Sequence, residues 1–280
     1  MTDLGAPKTY KLYVGGAFIR SESGRVAPVT GPDGAVVARV CEASRKDLRD
    51  AVTKSRGAQP GWAAATPYLR GQILYRVAEM LDGRQDQFVD ELESGGMQSD
   101  DAAAEVEAAI DAWIWWAGWT DKLTQVLGGV NPVAGPFLNV STPEPTGVVG
   151  IIAPADRPLA GLADVLAPVL CGGNTAVVLA SEHSPFAPLT FGEVLATSDL
   201  PAGVANLLVG SVAELAPWLA DHHDVDALEV SGVTDDALGR DLLVRSADNL
   251  KRVARTNGAR TPRTAGEFLE IKTVWHPARL

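Results

Sequence analysis

Between Pro143 and Glu182 the chain reads PEPTGVVGIIAPADRPLAGLADVLAPVLCGGNTAVVLASE, an order of residues that few folds can accommodate. Val148 to Ala153 is a short, continuous apolar run rich in β-branched residues, the pattern of a strand buried on both faces. Pro154 and Pro158 close it, and a helical pattern follows from Leu159 to Leu170. Gly172-Gly173 then supply a helix stop, since glycine reaches positive φ without a Cβ penalty. A second buried strand, Thr175 to Leu179, begins at once. Strand, helix and strand in this span make a βαβ unit, the building block of a parallel sheet.

The alternation continues downstream. Strands are predicted at Ala205–Val209 and Ala227–Val230, with helices at Pro185–Thr197, Val212–Asp221 and Asp235–Arg245. The expectation is an α/β fold with a parallel, doubly wound, Rossmann-like sheet and right-handed crossovers. Upstream, Tyr10 to Arg20 alternate around Gly15-Gly16 as a β-hairpin, and 35–41 reads as a strand. Ser44 caps a helix through Asp47, Leu48, Ala51 and Val52. Thr66-Pro67 open another, with Leu69, Ile73, Leu74, Val77 and Leu81 on its apolar side. A helix over Gln85–Glu93 and a long one from Ser99 to about Leu123 complete the series. The long helix carries Trp113, Trp115, Trp116 and Trp119 as two adjoining stripes, expected to pack the core, with a subunit contact as the alternative.

Net charge bounds the partners. At −11 over 280 residues the chain is a poor match for nucleic acid or an anionic membrane. No apolar run approaches the roughly 18 residues of a membrane span, and the polar start lacks a signal-peptide core, so a cytoplasmic location is expected. Cys41 and Cys171 are the only cysteines and read as reduced, buried thiols. No His/Cys spacing suggests a metal. His222-His223 and the acidic group Asp100, Asp101, Glu105 and Glu107 read as a solvated loop and a solvated helix face.

The central stretch resembles the aldehyde dehydrogenase superfamily, where the segment runs EPxGVVGxIxPWNFP and then AxxxAPALAxGNTVVVKPSE. Pro145, Gly147, Gly150, Pro154, Pro158, Ala167, Pro168, Gly173, Asn174, Thr175, Ser181 and Glu182 fall in frame. DLPAGVANLLVG, HHDVDALEVSGVT and NLKRVARTNGAR are similar to the family's GLPPGVxNVVxG, HPxVxxIxFTGST and xLKxVxLELGGK. The resemblance implies a nucleotide-binding-type domain over 1–123 and 146–260, with oligomerisation elements over 124–145 and 261–280. The catalytic domain, with its nucleophilic Cys, would follow Arg260 in that family; here a polar TPRTAG linker leads into EFLEIKTVWHP, similar to the family's last oligomerisation strand.

The family's working side chains are replaced. Asp156 stands where the resemblance puts the oxyanion's amide donor, Leu179 where it puts a cofactor-binding Lys, and Thr256 where it puts the general base. No base or oriented His lies near Cys171 in the sequence, so it is not expected to stand in as nucleophile. Glu182, Gly232 and Thr234 survive from the implied NAD(P) cleft as vestiges. The helix N-terminus that would receive the pyrophosphate now carries Asp235 and Asp236, expected in its first turn beneath a Thr234 cap. A carboxylate and a phosphate ~5 Å apart repel by about 3 kcal/mol at an effective dielectric near 20. No catalytic residue, metal or cofactor is therefore expected. The implied role is a catalytically inactive subunit that assembles with a full-length aldehyde dehydrogenase, or failing that with itself, as a structural or regulatory partner. The strand bearing Leu269, Ile271, Thr273 and Trp275 would make the contact. The alternative is a stand-alone NAD(P)-dependent oxidoreductase or dinucleotide binder with a rearranged site.

Overall fold

A computed structural model describes residues 8–31 and 34–278. The first strands are β1 (Lys8–Tyr10), β2 (Leu12–Val14), β3 (Ala17–Ile19), β4 (Val26–Thr30) and β5 (Val36–Cys41). Four helices follow: α1 (Arg45–Ala64), α2 (Pro67–Asp82), α3 (Gln85–Ser94) and α4 (Ser99–Ala117). A short α5 (Leu123–Leu127) leads to β6 (Gly129–Val130) and β7 (Phe137–Pro145). The βα series is β8 (Val148–Ile152), α6 (Ala160–Cys171), β9 (Thr175–Leu179), α7 (Phe186–Thr197), β10 (Ala205–Leu208), α8 (Val212–Asp221), β11 (Ala227–Glu229), α9 (Asp236–Ser246) and β12 (Arg252–Ala254). The chain ends with α10 (Pro262–Gly266) and β13 (Leu269–Pro277).

The main sheet has seven strands in the order β12-β11-β8-β9-β10-β2-β3. Its five βα strands are parallel, and the β2–β3 hairpin closes one edge antiparallel. Two layers cover it because successive side chains of a strand face opposite ways. Val149, Ile151, Ala176 and Val178 face α2, α3, α4, α6 and α7 in one buried cluster with Phe88, Trp113 and Trp116. Val148, Ile152, Val177 and Leu179 face α1, α8 and α9 with Leu48, Leu215 and Leu242. Glycine is required where layers touch: a Cβ on Gly150 would lie 2.6 Å from Leu219, and Gly173, at φ +87°, turns the chain from α6 into β9.

Several sequence expectations are corrected. Tyr10 belongs to β1, which pairs with β5, so the hairpin is confined to Leu12–Ile19. Leu69 is exposed, because Arg70 takes the buried flank of α2 and its guanidinium reaches the carbonyls of Ala63 and Ala65. The long tryptophan helix stops at Ala117 with Gly118 as its C-cap. Trp113 and Trp116 are buried, while Trp115 and Trp119 pack partly buried against the same cluster. TPRTAG is not a linker: α10 buries Thr264 and Ala265. Arg252–Ala254 forms a sheet strand that its charged flanks concealed.

Two three-stranded sheets lie outside the main one, β1-β5-β4 and β13-β7-β6. All nine residues of β13 pair antiparallel with β7, from Leu269 opposite Pro145 to Pro277 opposite Phe137. Leu269 is buried; Ile271, Thr273 and Trp275 are exposed. Among the described residues no strand pairs with the outer edge of β13.

Candidate functional site

In the main sheet the chain leaves β8 in one direction towards β9 and β10, and returns on its other side as β11 and β12. Crevices at the carboxyl ends of strands beside such a switch point are where open α/β sheets bind ligands. The loops that follow β8, β9, β11 and β12 at these ends carry Asp156, Glu182, Gly232, Thr234 and Thr256, and Leu179 is the last residue of β9. The fold thus brings the sequence-predicted positions to one edge of the sheet.

Their surroundings differ from one another. Asp156 is exposed on the loop after β8. Leu179 is buried at the end of β9, and Val233 lies in the same apolar cluster, so two neighbouring polar positions of the family pattern are filled by core side chains. Gly232 has a packing duty of its own: a Cβ there would lie 2.2 Å from the Ala153 carbonyl oxygen. Its amide donates to the Ile152 carbonyl, locking the ends of β8 and β11 together.

The Glu182 carboxylate accepts a hydrogen bond from the Val212 amide at the start of α8. Ser211 caps that helix through the Glu214 amide. Glu182 also borders a cleft of about 320 Å³ against β4 and β5, where Glu42 adds a second carboxylate. At α9 the expectation of a Thr234 cap is corrected. Asp235 is the N-cap, its carboxylate accepting the Ala237 amide at 2.8 Å, and Thr234 is exposed before it. A carboxylate caps a helix better than a threonine because it meets both the free amide and the positive end of the dipole.

Thr256 is half-buried after β12, and its amide donates to Glu229 Oε2 at 3.2 Å. Glu229 ends β11 fully buried, with its other oxygen accepting the Ser231 amide at 2.7 Å. Burial pushes its carboxyl above the ordinary range, and these donors oppose the rise. The signal in the sequence was a lone acid inside the apolar run Ala227–Val230.

A charged network was also missed. The solvated reading of Glu105 is corrected: it is buried, and its Oε1 accepts the amides of Leu159 at 3.1 Å and Ala160 at 2.9 Å. It thereby caps α6, which has no side-chain cap of its own. Asp164, also buried, takes Arg157 at 3.0 Å and Arg260 at 3.1 Å on its two oxygens. Arg260 reaches on to the Ala108 carbonyl, so three segments far apart in sequence, α4, residues 157–164 and Arg260, are tied together. The clue was Asp164 itself, an acid within an otherwise apolar helix.

Cys41 and Cys171 are free and buried. Burial pushes the Cys171 thiol up to about 12, which keeps it protonated and unreactive. Among the described residues no group of His, Cys, Asp and Glu is arranged to hold a metal ion, and no helix is long and apolar enough to cross a membrane.

The family model for the aldehyde dehydrogenase family matches residues 18–271. The chain is 29% identical over 259 residues to a putative aldehyde dehydrogenase, DhaS, of Bacillus subtilis, covering 91% of this chain and 51% of that protein. It is 31% identical over 267 residues to the mitochondrial aldehyde dehydrogenase family 2 member B4 of Arabidopsis thaliana, covering 93% and 49% respectively. A crystal structure of a putative aldehyde dehydrogenase from Burkholderia cenocepacia superposes with a TM-score of 0.82 at 30% identity, over 87% of this chain and 50% of that one. The chain spans about half the length of these relatives.

Proposed function

The chain belongs to the aldehyde dehydrogenase family, and from that premise we propose that it is a non-catalytic member which assembles with a full-length aldehyde dehydrogenase as a structural or regulatory subunit. The observation that carries this reading is β13: nine residues paired along their length on one side, open on the other, with Ile271, Val274 and Trp275 exposed. Phe137 and Leu138 on β7 extend the apolar surface. An open strand edge offers main-chain donors and acceptors to another sheet, and apolar side chains on its faces add buried area when one docks. A homo-oligomer through the same edge is the fallback.

Loss of catalysis is the second half of the proposal. Aldehyde oxidation of the family's kind needs a thiolate, a donor to the oxyanion and a base for the deacylating water. Asp156 would repel a developing oxyanion, Thr256 cannot take a proton near neutral pH, and the Cys171 thiol is held protonated. A dinucleotide does not fit the residues present. Leu179 and Val233 are sealed in the core, the α9 amide is capped by Asp235, and one oxygen of Glu182 is taken by the Val212 amide. The alternative, a dinucleotide-binding oxidoreductase in its own right, would rest on the second carboxylate oxygen of the exposed Glu182.

Affinity capture tests the assembly. A tagged full-length aldehyde dehydrogenase from the same cells, co-expressed with this chain, should retain it at a fixed ratio through high-salt washes. Recovery of the enzyme alone contradicts the proposal.

A further inference from the structure

Away from the strand ends, a hollow of about 570 Å³ lies between the first turn of α1 and the last turn of α8. That volume is in the range of small-molecule sites. Its floor is apolar, formed by Leu48 and by the indole of Trp218, a residue still 44% exposed. Arg45, Lys46 and Arg49 stand around it, and the Arg45 guanidinium sits 4.4 Å from the Trp218 ring centroid. Asp221, His222 and His223 complete the lining, so three basic side chains meet one carboxylate there, against the trend of a chain of net charge −11.

Their place in the helix adds an independent reason. Cations in a first turn oppose the helix dipole, which favours anions there. The acid of that turn, Asp47, is buried and committed to the capping box with Ser44. Arg45 and Lys46 therefore add to the positive end of α1 instead of offsetting it, and Arg49 follows one turn on. Their partners are surface acids: Glu214 for Arg45 at 3.8 Å, Glu22 for Lys46 at 3.4 Å and Asp50 for Arg49 at 3.1 Å. Exposed pairs of this kind contribute little, so a doubly charged ligand oxygen cluster displaces them easily.

We propose that this hollow binds a small aromatic phosphate, the ring resting on Trp218 beside the Arg45 guanidinium and the phosphate held by Lys46 and Arg49. The inference stands independently of the assembly reading, since neither β13 nor the strand-end crevice takes part.

The probe is adenosine 5′-monophosphate, titrated into the full chain by calorimetry. Saturable binding at submillimolar concentration is expected, with adenosine and inorganic phosphate each at least about tenfold weaker. Lys46→Glu together with Arg49→Glu should weaken binding by about tenfold or more. The first of these places an acid in the first turn and so favours the helix, which separates lost binding from lost folding. Trp218→Ala should weaken the monophosphate but not inorganic phosphate. No saturable binding up to about 10 mM, equal binding of inorganic phosphate, or binding unmoved by these substitutions would overturn the proposal.

Discussion

Thr273 on β13 stands opposite Ser141 on β7, their hydroxyl oxygens 2.8 Å apart. Asn131 donates to the same Ser141 hydroxyl at 2.8 Å, so side chains as well as backbone fix the register of the small sheet. A terminal strand held this firmly to its own chain keeps its shape whether or not a partner is bound. Among the described residues its outer edge carries no strand, and Ile271 and Trp275 are exposed, Trp275 resting edge-on against Phe137.

That separation of folding from association gives the first prediction. Ile271→Lys with Trp275→Lys should cost about 1–2 kcal/mol, chiefly the edge-on contact of Trp275 with Phe137, and leave the chain folded. The same double variant should lose association. Denaturant melts alongside co-purification check both halves; a large loss of stability would mean these residues serve this chain's own fold.

Asp164 should prove far more costly to remove than Asp156. Asp164 is buried with two guanidinium partners, which Asp164→Ala would leave unpaired, whereas Asp156 is exposed. Because Arg157 and Arg260 retain solvent contact, the expected loss is about 2–3 kcal/mol, below the full range for a broken buried pair. Asp156→Ala should stay within about 0.5 kcal/mol. Urea denaturation of the two variants compares them directly.

Burial raises the Glu229 carboxyl from its ordinary 4.5, so the folded state holds that proton more tightly than the unfolded chain. This contribution to stability is complete below pH 4.5 and is lost as pH rises through the higher folded value. Glu229→Gln removes the charge and keeps an acceptor for one of the Ser231 and Thr256 amides, its NH2 facing the other, a cost that does not vary with pH. The variant should gain on the parent as pH climbs from 4.5 to 7, measured by thermal melting across that range. A difference independent of pH would contradict the assignment.

Leu179→Lys tests whether the cofactor cleft can be rebuilt at one position. An ammonium in the cluster with Val233 and Leu208 should destabilise the fold by about 2 kcal/mol or more, without conferring micromolar NAD binding. Asp235→Ser with Asp236→Ser should improve dinucleotide binding measurably, though only from a weak start. Calorimetry on these variants and the parent reads the outcome.

Much of the fold was legible because its signals are local. β8 and β9 follow from uninterrupted apolar runs, and α8 from the helical pattern of Val212–Asp221. β12 and α10 were not, since Arg252 and TPRTAG read as polar although tertiary contacts bury their neighbours. The site was half legible. Family text aligned Asp156, Leu179, Glu182 and Thr256, whereas Glu105 gave no hint, because its partners are backbone amides of a helix 54 and 55 residues away. Such a cap exists only once α4 has packed on α6.

The most direct measurement is the molar mass, by light scattering after size exclusion, of this chain mixed or co-expressed with a full-length aldehyde dehydrogenase from the same cells. A single hetero-oligomeric peak is expected, lost in the Ile271→Lys, Trp275→Lys variant, which leaves the buried Ala265, Phe268 and Leu269 in place. A monomer that stays monomeric with or without the enzyme, and is unchanged by those substitutions, would contradict the central claim.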